Sequence, residues 1–288
     1  MDDMQSSRAV LILGMHRSGT SALAHGVQAL GVYLGDNFLS ARPDNPTGYW
    51  EDQHICQLNE RLLAILGIRW DQVALIDESD WLAPEIDFLL AEAVEYVRSA
   101  LAISPLWGFK DPRTLRLLPF WRSVLRRLQA EEQYLVVIRN PRSVAASLGQ
   151  RQGMDEATAH LLWLTYLLPL REIADTPFIV ADYDIVMADP KRQLERIARG
   201  LKIPLDDANN AAIDDFANSF LDPTLRHSFF NAAAFNPSPT LPPLSREAYL
   251  WLRWLATDRI PADSPQLWSV WDNSRRAVQK AIRGMNSP

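Results

Sequence analysis

The chain has 288 residues, of which 48% are hydrophobic, enough for one large domain or one domain with a modest extension. Its formal net charge of -6 argues against a nucleic-acid binder, which normally shows a basic surface. A single cysteine, Cys56, excludes an internal disulfide and a cysteine-based metal site, and we interpret it as a half-buried hydrophobic residue. With no signal peptide and no apolar run of membrane-spanning length, we expect a cytoplasmic protein without a transmembrane segment.

The first regular element is predicted at the apolar run 10–13, which ends at Gly14. A loop carrying Arg17 follows, and Thr20 and Ser21 then open a segment with apolar residues on one helical face. A strand, a tight loop and a helix in this order present backbone N–H groups and the positive end of a helix dipole to one small volume. The pattern predicts an anion-binding loop, and a glycine turn without a ligand is the alternative.

Further along the chain, residues 31–48 form a long loop, a length typical of functional or mobile segments. Helices are predicted at 51–66 and 79–101. Strands are predicted at 106–110, 134–139 and 178–180. The first two run directly into Asp-Pro or Asn-Pro, and the third reaches Asp-Pro after a short link. Asp or Asn before Pro is typical of a helix start, so strands and helices alternate. This alternation indicates a parallel sheet whose ligands bind beyond the carboxyl ends of the strands.

We therefore expect an α/β fold, namely a three-layer, P-loop-like parallel sheet flanked by helices, with a helical C-terminal extension. The predicted division is a disordered tail at 1–8, a P-loop-like domain at 9–221, and a Trp-rich helical extension at 222–288 packed on the same domain. Helices are predicted in that extension at 245–256 and 264–282, and a core helix precedes it at 154–170.

Three cationic residues fall at the ends of predicted strands: Arg17, Lys110 and Arg139. Because parallel strands end at one edge, these side chains should converge there. Ser147 and Arg151 lie four positions apart on the helix after Arg139 and share a face. Two arginines and a hydroxyl near one strand end suit a second, separate phosphate. A solvated helix face with ordinary charges is the alternative.

The frame Gly14-x4-Gly19 matches a P-loop, but Thr20 stands where a nucleotide triphosphatase has its lysine. The loop cation is Arg17 instead, a forked donor suited to a terminal oxyanion. Residues 178–182 are apolar and end in an aspartate, as in a Walker B strand that holds Mg²⁺. This keeps a kinase-like interpretation open, although without the Walker lysine we favour a strand that ends at a helix-flanking acid.

The two sets of residues resemble the phosphate motifs of sulfotransferases that use 3′-phosphoadenosine 5′-phosphosulfate (PAPS). The run 17–21, Arg-Ser-Gly-Thr-Ser, is similar to the 5′-phosphosulfate loop, and Arg139 with Ser147 is similar to the 3′-phosphate motif. Arg151 and the Lys-Asp-Pro run 110–112 resemble a phosphate contact and a catalytic-lysine motif of the tyrosylprotein branch.

Two further stretches resemble the same family. Tyr183 is similar to a tyrosine that touches the nucleotide, and residues 45–51, Asn-Pro-Thr-Gly-Tyr-Trp-Glu, resemble a stretch found in many bacterial sulfotransferase-like proteins. The resemblance runs from residue 10 to about residue 201, so the domain 9–221 is expected to be a sulfotransferase-like P-loop domain.

The resemblance implies a metal-free, in-line transfer of the sulfuryl group of PAPS to an acceptor hydroxyl or amine, with 3′-phosphoadenosine 5′-phosphate as product. It assigns nucleotide binding to Arg17, Ser18, Gly19, Thr20, Ser21, Arg139, Ser147, Arg151 and Tyr183. Arg17 and Lys110 would stabilise charge in the transition state. By analogy with branches that use a glutamate after the first helix, Glu51 is the predicted base, with His54 second and His16 third.

The acceptor stays open between a saccharide, a lipid-linked hydroxyl and a small natural product, and no metal and no nucleic acid are expected. The loop 31–48 and the Trp-bearing tail are predicted acceptor walls. Two other functions also stay open, a P-loop kinase or other nucleotide-dependent transferase, and a non-catalytic nucleotide-binding module.

Overall fold

The described residues form one sheet of four parallel strands in the order β2-β1-β3-β4. The structure is a computed structural model that describes residues 7–41, 48–221, 230 and 242–285. The strands are β1 Arg8–Leu13, β2 Leu106–Lys110, β3 Glu131–Ile138 and β4 Phe178–Asp182. Because β1 lies between β2 and β3, the loop that follows it leaves from the middle of the carboxyl edge. The predicted parallel α/β sheet is confirmed.

Helices connect and cover these strands. Their bounds are α1 Thr20–Ala29, α2 Gln53–Ile65, α3 Pro84–Ile103, α4 Leu118–Leu128, α5 Pro141–Gln152, α6 Glu156–Leu167, α7 Tyr183–Ala188, α8 Pro190–Gly200, α9 Asp207–Asp215, α10 Pro243–Ala256 and α11 Pro265–Met285. Single 3₁₀ segments lie at Glu78–Leu82, Pro112–Leu115 and Leu168–Ile173, and a π-helical turn lies at Phe216–Phe220.

Two predicted helices differ from the observed ones for local reasons. The predicted helix 51–66 begins at Gln53, because the Asp52 carboxylate accepts a hydrogen bond from the Ile55 N–H (3.0 Å) and caps the first turn. The predicted helix 79–101 is interrupted at Ala83, whose extended backbone (ψ 127°) precedes a proline. A residue before proline disfavours the helical conformation, so α3 starts afresh at Pro84.

The side chains of the sheet alternate between two hydrophobic cores, which makes the fold three-layered. In β1, Leu11 and Leu13 pack with α2 to α6, α10 and α11, whereas Val10 and Ile12 pack with α1, α8 and α9. β3 alternates in the same way. Both faces of a parallel sheet need such cover, since every strand is apolar on both sides.

Both outer strands have partners on their free edges. Next to β2, the Tyr33 N–H donates to the carbonyl of Leu106 (3.0 Å), and its own carbonyl accepts from the Gly108 N–H (3.0 Å). Next to β4, the Arg196 guanidinium donates to the carbonyl of Val180 (2.8 Å).

The described part of the predicted extension packs on the sheet. Arg196 also donates to the carbonyl of Leu255 (2.8 Å) and to the carboxylate of Asp258 (2.6 and 2.8 Å), and α10 lies against β4. The division at residue 221 stays a prediction. At the other end, β1 begins at Arg8, inside the predicted tail 1–8, because Arg8 pairs with both neighbouring strands. None of the described helices is long and apolar enough to cross a membrane.

Candidate functional site

The loop between β1 and α1 is built from residues with positive φ angles. Gly14 (φ 155°) and Gly19 (φ 87°) adopt backbone conformations that a side chain disfavours, and a Cβ on Gly14 would lie 2.5 Å from the carbonyl oxygen of Val137. Arg17 adopts a left-handed backbone conformation too (φ 68°), which strains a non-glycine residue. The Ser18 N–H donates to the carbonyl of Met15 (3.2 Å). This hydrogen bond closes a turn in the loop, and the predicted nucleotide contact of Ser18 stays a prediction.

The two predicted phosphate sets meet at Arg17. Its Nε donates to the Ser147 Oγ (2.8 Å), and the Arg139 guanidinium donates to the Arg17 carbonyl (3.2 Å). The Arg139 guanidinium also lies over the Tyr183 ring, 5.0 Å from its centroid. The same ring covers Gly19, where a Cβ would collide with it. The structure thus brings together five residues that the sequence motifs predicted to share one site.

A second group lies beside the loop, around the predicted base. The Lys110 ammonium, which is 2% exposed, donates to the Glu51 Oε1 (2.6 Å) and to the Ser21 Oγ (3.2 Å). Arg113 donates to the other oxygen of that carboxylate (3.3 Å). Lys110 therefore contacts both the predicted base and the predicted phosphate loop. No predicted motif includes Arg113, although its position two residues after the Lys-Asp pair is a signal that could mark it.

A buried network holds Arg113 in place. Its Nε donates to both oxygens of the Asp111 carboxylate (2.8 and 3.0 Å), and Asn59 donates to the same carboxylate (3.0 Å). Burial alone would raise the pKa of the Asp111 carboxyl, but the charge and hydrogen bonds of Arg113, with the bond from Asn59, hold it below its usual value. The pair is thus charged, and it aims one guanidinium at Glu51.

The segment 48–52 carries Glu51 into this group. Trp50 has a left-handed backbone (φ 56°), and its indole packs against an aromatic cluster that contains His25 (4.7 Å between centroids). The Tyr49 carbonyl accepts from the Ser21 hydroxyl (3.1 Å), and the Arg151 guanidinium lies 3.4 Å from the Tyr49 hydroxyl. The first part of the predicted stretch, 45–47, lies outside the described residues.

Members of both groups line an open cleft of about 480 Å³ at the carboxyl edge of the sheet, whereas Arg139, Ser147 and Tyr183 are not among its lining residues. Its lining is His16, Arg17, Thr20, Ser21, Leu39, Ser40, Tyr49, Glu51, Gln53, Trp70, Lys110, Pro112, Arg113, Arg151 and Gln152. Four of these side chains are cationic and one is a carboxylate. Such a cleft attracts anions.

The two alternative bases differ in position. His16 lines the cleft, and burial, reinforced by the nearby charges of Arg113 and Lys110, lowers its pKa to about 3. His54 contacts α3 instead, with its Nε2 3.5 Å from Glu92 and its ring 4.3 Å from that of Tyr96, and it is not among the lining residues described above.

Asp182, the aspartate of the Walker-B-like strand, has structural partners. Its Oδ1 accepts from the Asp184 N–H (2.8 Å), which caps α7, and its Oδ2 accepts from the Tyr249 hydroxyl (2.7 Å). Burial raises its pKa to about 6, and both of its carboxyl oxygens are engaged by these structural partners. Among the described residues, no three His, Cys, Asp or Glu side chains cluster as a metal site would require.

The predicted acceptor walls are only partly where we expected them. Leu39 and Ser40 of the loop 31–48 line the cleft, while residues 42–47 lie outside the described part. The tryptophans described in the tail pack elsewhere. Trp271 is 6% exposed, and Trp268 donates its indole N–H to the carbonyl of Ala262 (2.8 Å). The tryptophan that does line the cleft is Trp70, which no motif marks.

No family model and no curated protein matches this chain. Among solved structures, the sulfotransferase domain of the Synechococcus PCC 7002 olefin synthase is similar, with 18% identity and a TM-score of 0.48 over 86% of this chain and 96% of that one. A Mycobacterium avium sulfotransferase has 16% identity and a TM-score of 0.45 over 73% of this chain and 68% of that one. A Mycobacterium tuberculosis H37Rv sulfotransferase has 15% identity and a TM-score of 0.43 over 73% and 71%.

Proposed function

We propose that this chain is a PAPS-dependent sulfotransferase that transfers a sulfuryl group to an acceptor hydroxyl without a metal ion. The observation that carries the proposal is the hydrogen bond between Arg17 and Ser147 (2.8 Å), which joins two motifs 130 positions apart in the chain. A nucleotide with phosphates on both the 5′ and the 3′ oxygen needs two such anchors side by side. ATP, which lacks a 3′-phosphate, would use only one of them.

The residues present fit this donor chemically. Arg17, Arg139 and Arg151 are guanidinium groups, which suit phosphate oxygens because they offer several donors in a fixed plane. The N-terminus of α1 adds partial positive charge. Ser147 and Tyr183 complete the proposed nucleotide site. When bound, PAPS supplies the sulfuryl group and a 5′-phosphate that leaves as its bond to sulfur breaks.

Glu51, Lys110 and Arg113 then have separate tasks at the acceptor side. Glu51 accepts the proton of the acceptor hydroxyl as the acceptor oxygen bonds to sulfur. Lys110, which contacts both Glu51 and Ser21, is placed to neutralise the charge that develops on the loop side. Arg113 keeps the carboxylate oriented through its own contact (3.3 Å). As in phosphoryl transfer, alignment and charge stabilisation do the chemistry.

Calorimetry with three nucleotides tests the donor site. We expect adenosine 3′,5′-bisphosphate to bind more tightly than AMP or ATP. Arg139→Ala should weaken the bisphosphate by about 30-fold or more, the loss of one desolvated charged contact, and should weaken AMP far less. Arg98→Ala, a surface arginine of α3, is the control and should bind like the native chain. Equal losses for the bisphosphate and AMP would show that the 3′ site is misplaced.

A transfer assay separates the proposal from its alternatives. With PAPS as donor, a chelator should leave turnover unchanged, because no step uses a metal ion. A strict requirement for Mg²⁺ and ATP would support the kinase instead. Binding of the bisphosphate without any transfer would indicate a non-catalytic module.

A further inference from the structure

The segment 66–77, here called the Trp70 segment, has no regular secondary structure but is held by two buried side chains. The Arg116 guanidinium donates to the carbonyls of Arg69 (3.1 Å), Gln72 (3.1 Å) and Ala74 (2.8 Å). The Tyr166 hydroxyl donates to the carbonyl of Trp70 itself (2.9 Å). Since ordinary surface loops lack such anchors, the backbone beneath Trp70 is preorganised.

The Trp70 indole packs against a second ring at an interplanar angle of 44°. Its centroid lies 4.3 Å from that of His16, and His16 in turn lies edge-on to Tyr166 (6.0 Å). Because its pKa is lowered to about 3, the His16 imidazole is neutral near pH 7, so it supports the indole as an uncharged ring. Trp70 is half-buried and lines the same cleft as Glu51. An indole in the same cleft as the predicted base offers a flat surface to an acceptor that enters the cleft.

The charges of the cleft restrict the acceptor further. Its described lining has four cationic side chains and one carboxylate, Glu51, which Lys110 and Arg113 already contact. A protonated amine would be repelled by this positive potential, because the described lining offers it no carboxylate that is not already paired. A neutral or anionic alcohol would not be repelled.

We propose that Trp70 forms the acceptor platform, and that the acceptor is a neutral or anionic alcohol whose hydroxyl is carried on a ring. The ring, aromatic or pyranose, stacks on the indole and holds its hydroxyl toward Glu51. This inference rests on the function proposed above, and it excludes alkylammonium acceptors and linear alcohols as preferred substrates.

The test uses the full chain with PAPS and four probes, namely 2-naphthol, methyl β-D-glucopyranoside, 1-hexanol and hexylamine. For the native chain, kcat/KM for one of the ring alcohols should exceed that for 1-hexanol by at least about tenfold, the size of one stacking contact. The preferred ring probe shows whether the source is aromatic or a sugar. Trp70→Ala should lower kcat/KM for the preferred ring alcohol to about the level of 1-hexanol, and Trp70→Phe should retain part of the preference.

Two controls keep the outcomes distinct. Trp251→Phe, a half-buried tryptophan of α10 outside the described cleft lining, should behave as the native chain. All variants should bind adenosine 3′,5′-bisphosphate within about twofold, which also shows that they are folded.

The inference is overturned if the ring preference survives in Trp70→Ala, if all probes lose activity equally, or if hexylamine is the best acceptor. It is also overturned if the chain binds the bisphosphate but neither ring alcohol accepts a sulfuryl group, and neither binds to the bisphosphate-loaded chain in calorimetry. Failure of the native chain to bind the bisphosphate at all would instead remove the proposed function.

Discussion

Asp111 and Asp182 occupy equivalent places in the fold but behave in opposite ways. Each is a fully buried carboxyl at the carboxyl end of a parallel strand, and each accepts a backbone N–H two residues on (2.9 Å at Arg113, 2.8 Å at Asp184). Arg113 holds the pKa of Asp111 below its usual value despite burial, whereas burial raises that of Asp182 to about 6.

The difference lies in the partner and not in the backbone. Asp111 has a guanidinium in direct contact, and that guanidinium continues to Glu51 and the cleft. Asp182 accepts its hydrogen bond from a neutral partner, the Tyr249 hydroxyl, and forms only a longer ion pair with Arg253, whose Nε lies 3.5 Å from its Oδ2. The same strand-end aspartate thus supports a charged site next to β2, one outer strand of the sheet, and a structural cap next to β4, the other outer strand.

The largest expected effect is on activity, and it should be seen at the β2 side of the sheet but not at the β4 side. Glu51→Gln should lower kcat by about 10²- to 10⁴-fold, because the general base is lost while the shape is kept. Asp182→Asn, the control at the other end, should change kcat by less than about twofold. Steady-state kinetics with PAPS and a ring alcohol measures both. A Glu51→Gln variant that retains more than a tenth of native kcat would remove Glu51 as the base.

The next effect is on stability at the charged end. Asp111→Asn should cost about 3–5 kcal/mol at pH 7, because a buried guanidinium loses its carboxylate. The lowered pKa of Asp111 means that its stabilisation is present above about pH 4 and is lost as the pH falls further. Urea unfolding at pH 7 and pH 3 should therefore show a smaller difference between the two chains at pH 3. A constant difference would argue that the aspartate acts only as a cap.

For Asp182, we expect the pH dependence of stability to have the opposite sign. With its pKa raised from 3.8 to about 6, Asp182 contributes stability that is fully present below pH 4 and is lost as the pH rises through 6, a change of about 3 kcal/mol. Asp182→Asn should flatten this part of the pH profile of unfolding. If the variant keeps the native slope between pH 4 and 7, another group carries it.

The smallest effect concerns the neutral partner. Tyr249→Phe should destabilise the chain by about 1–2 kcal/mol at pH 7, because a buried carboxylate oxygen loses its donor. In the Asp182→Asn background the same substitution should cost less. The double-mutant cycle, measured by urea unfolding, gives the coupling, and additive costs would mean that the two side chains act independently.

Much of this comparison could be anticipated from the sequence, because it depends on local signals. The bounds of β2 agree with prediction at both ends, since Asp111 and Pro112 end the strand. The convergence of Arg17 and Arg139 at the carboxyl edge also follows from the parallel sheet, whereas the direct bond from Arg17 to Ser147 was not predicted.

Other features depend on contacts between distant segments and could not be predicted. Trp70 lies in an irregular segment whose place is set by Arg116, 46 positions later, so no local pattern marks it. The polar start of β3, Glu131 to Gln133, is a strand because β1 pairs with it, not because of its own composition. The charge of a buried aspartate likewise depends on which tertiary partner reaches it.

The two occupied edges of the sheet have a consequence for how copies of this chain meet. A bare outer strand offers unpaired amides and carbonyls to any other strand, and proteins block such templates. Here Tyr33 forms hydrogen bonds with the outer edge of β2. Arg196, which also donates to Leu255 and Asp258, forms a hydrogen bond with β4. Arg196 belongs to α8, and the C-terminal part of the chain contributes by holding its guanidinium in place. A chain shortened before α10 would lose those two contacts, and we expect it to aggregate more readily through β4.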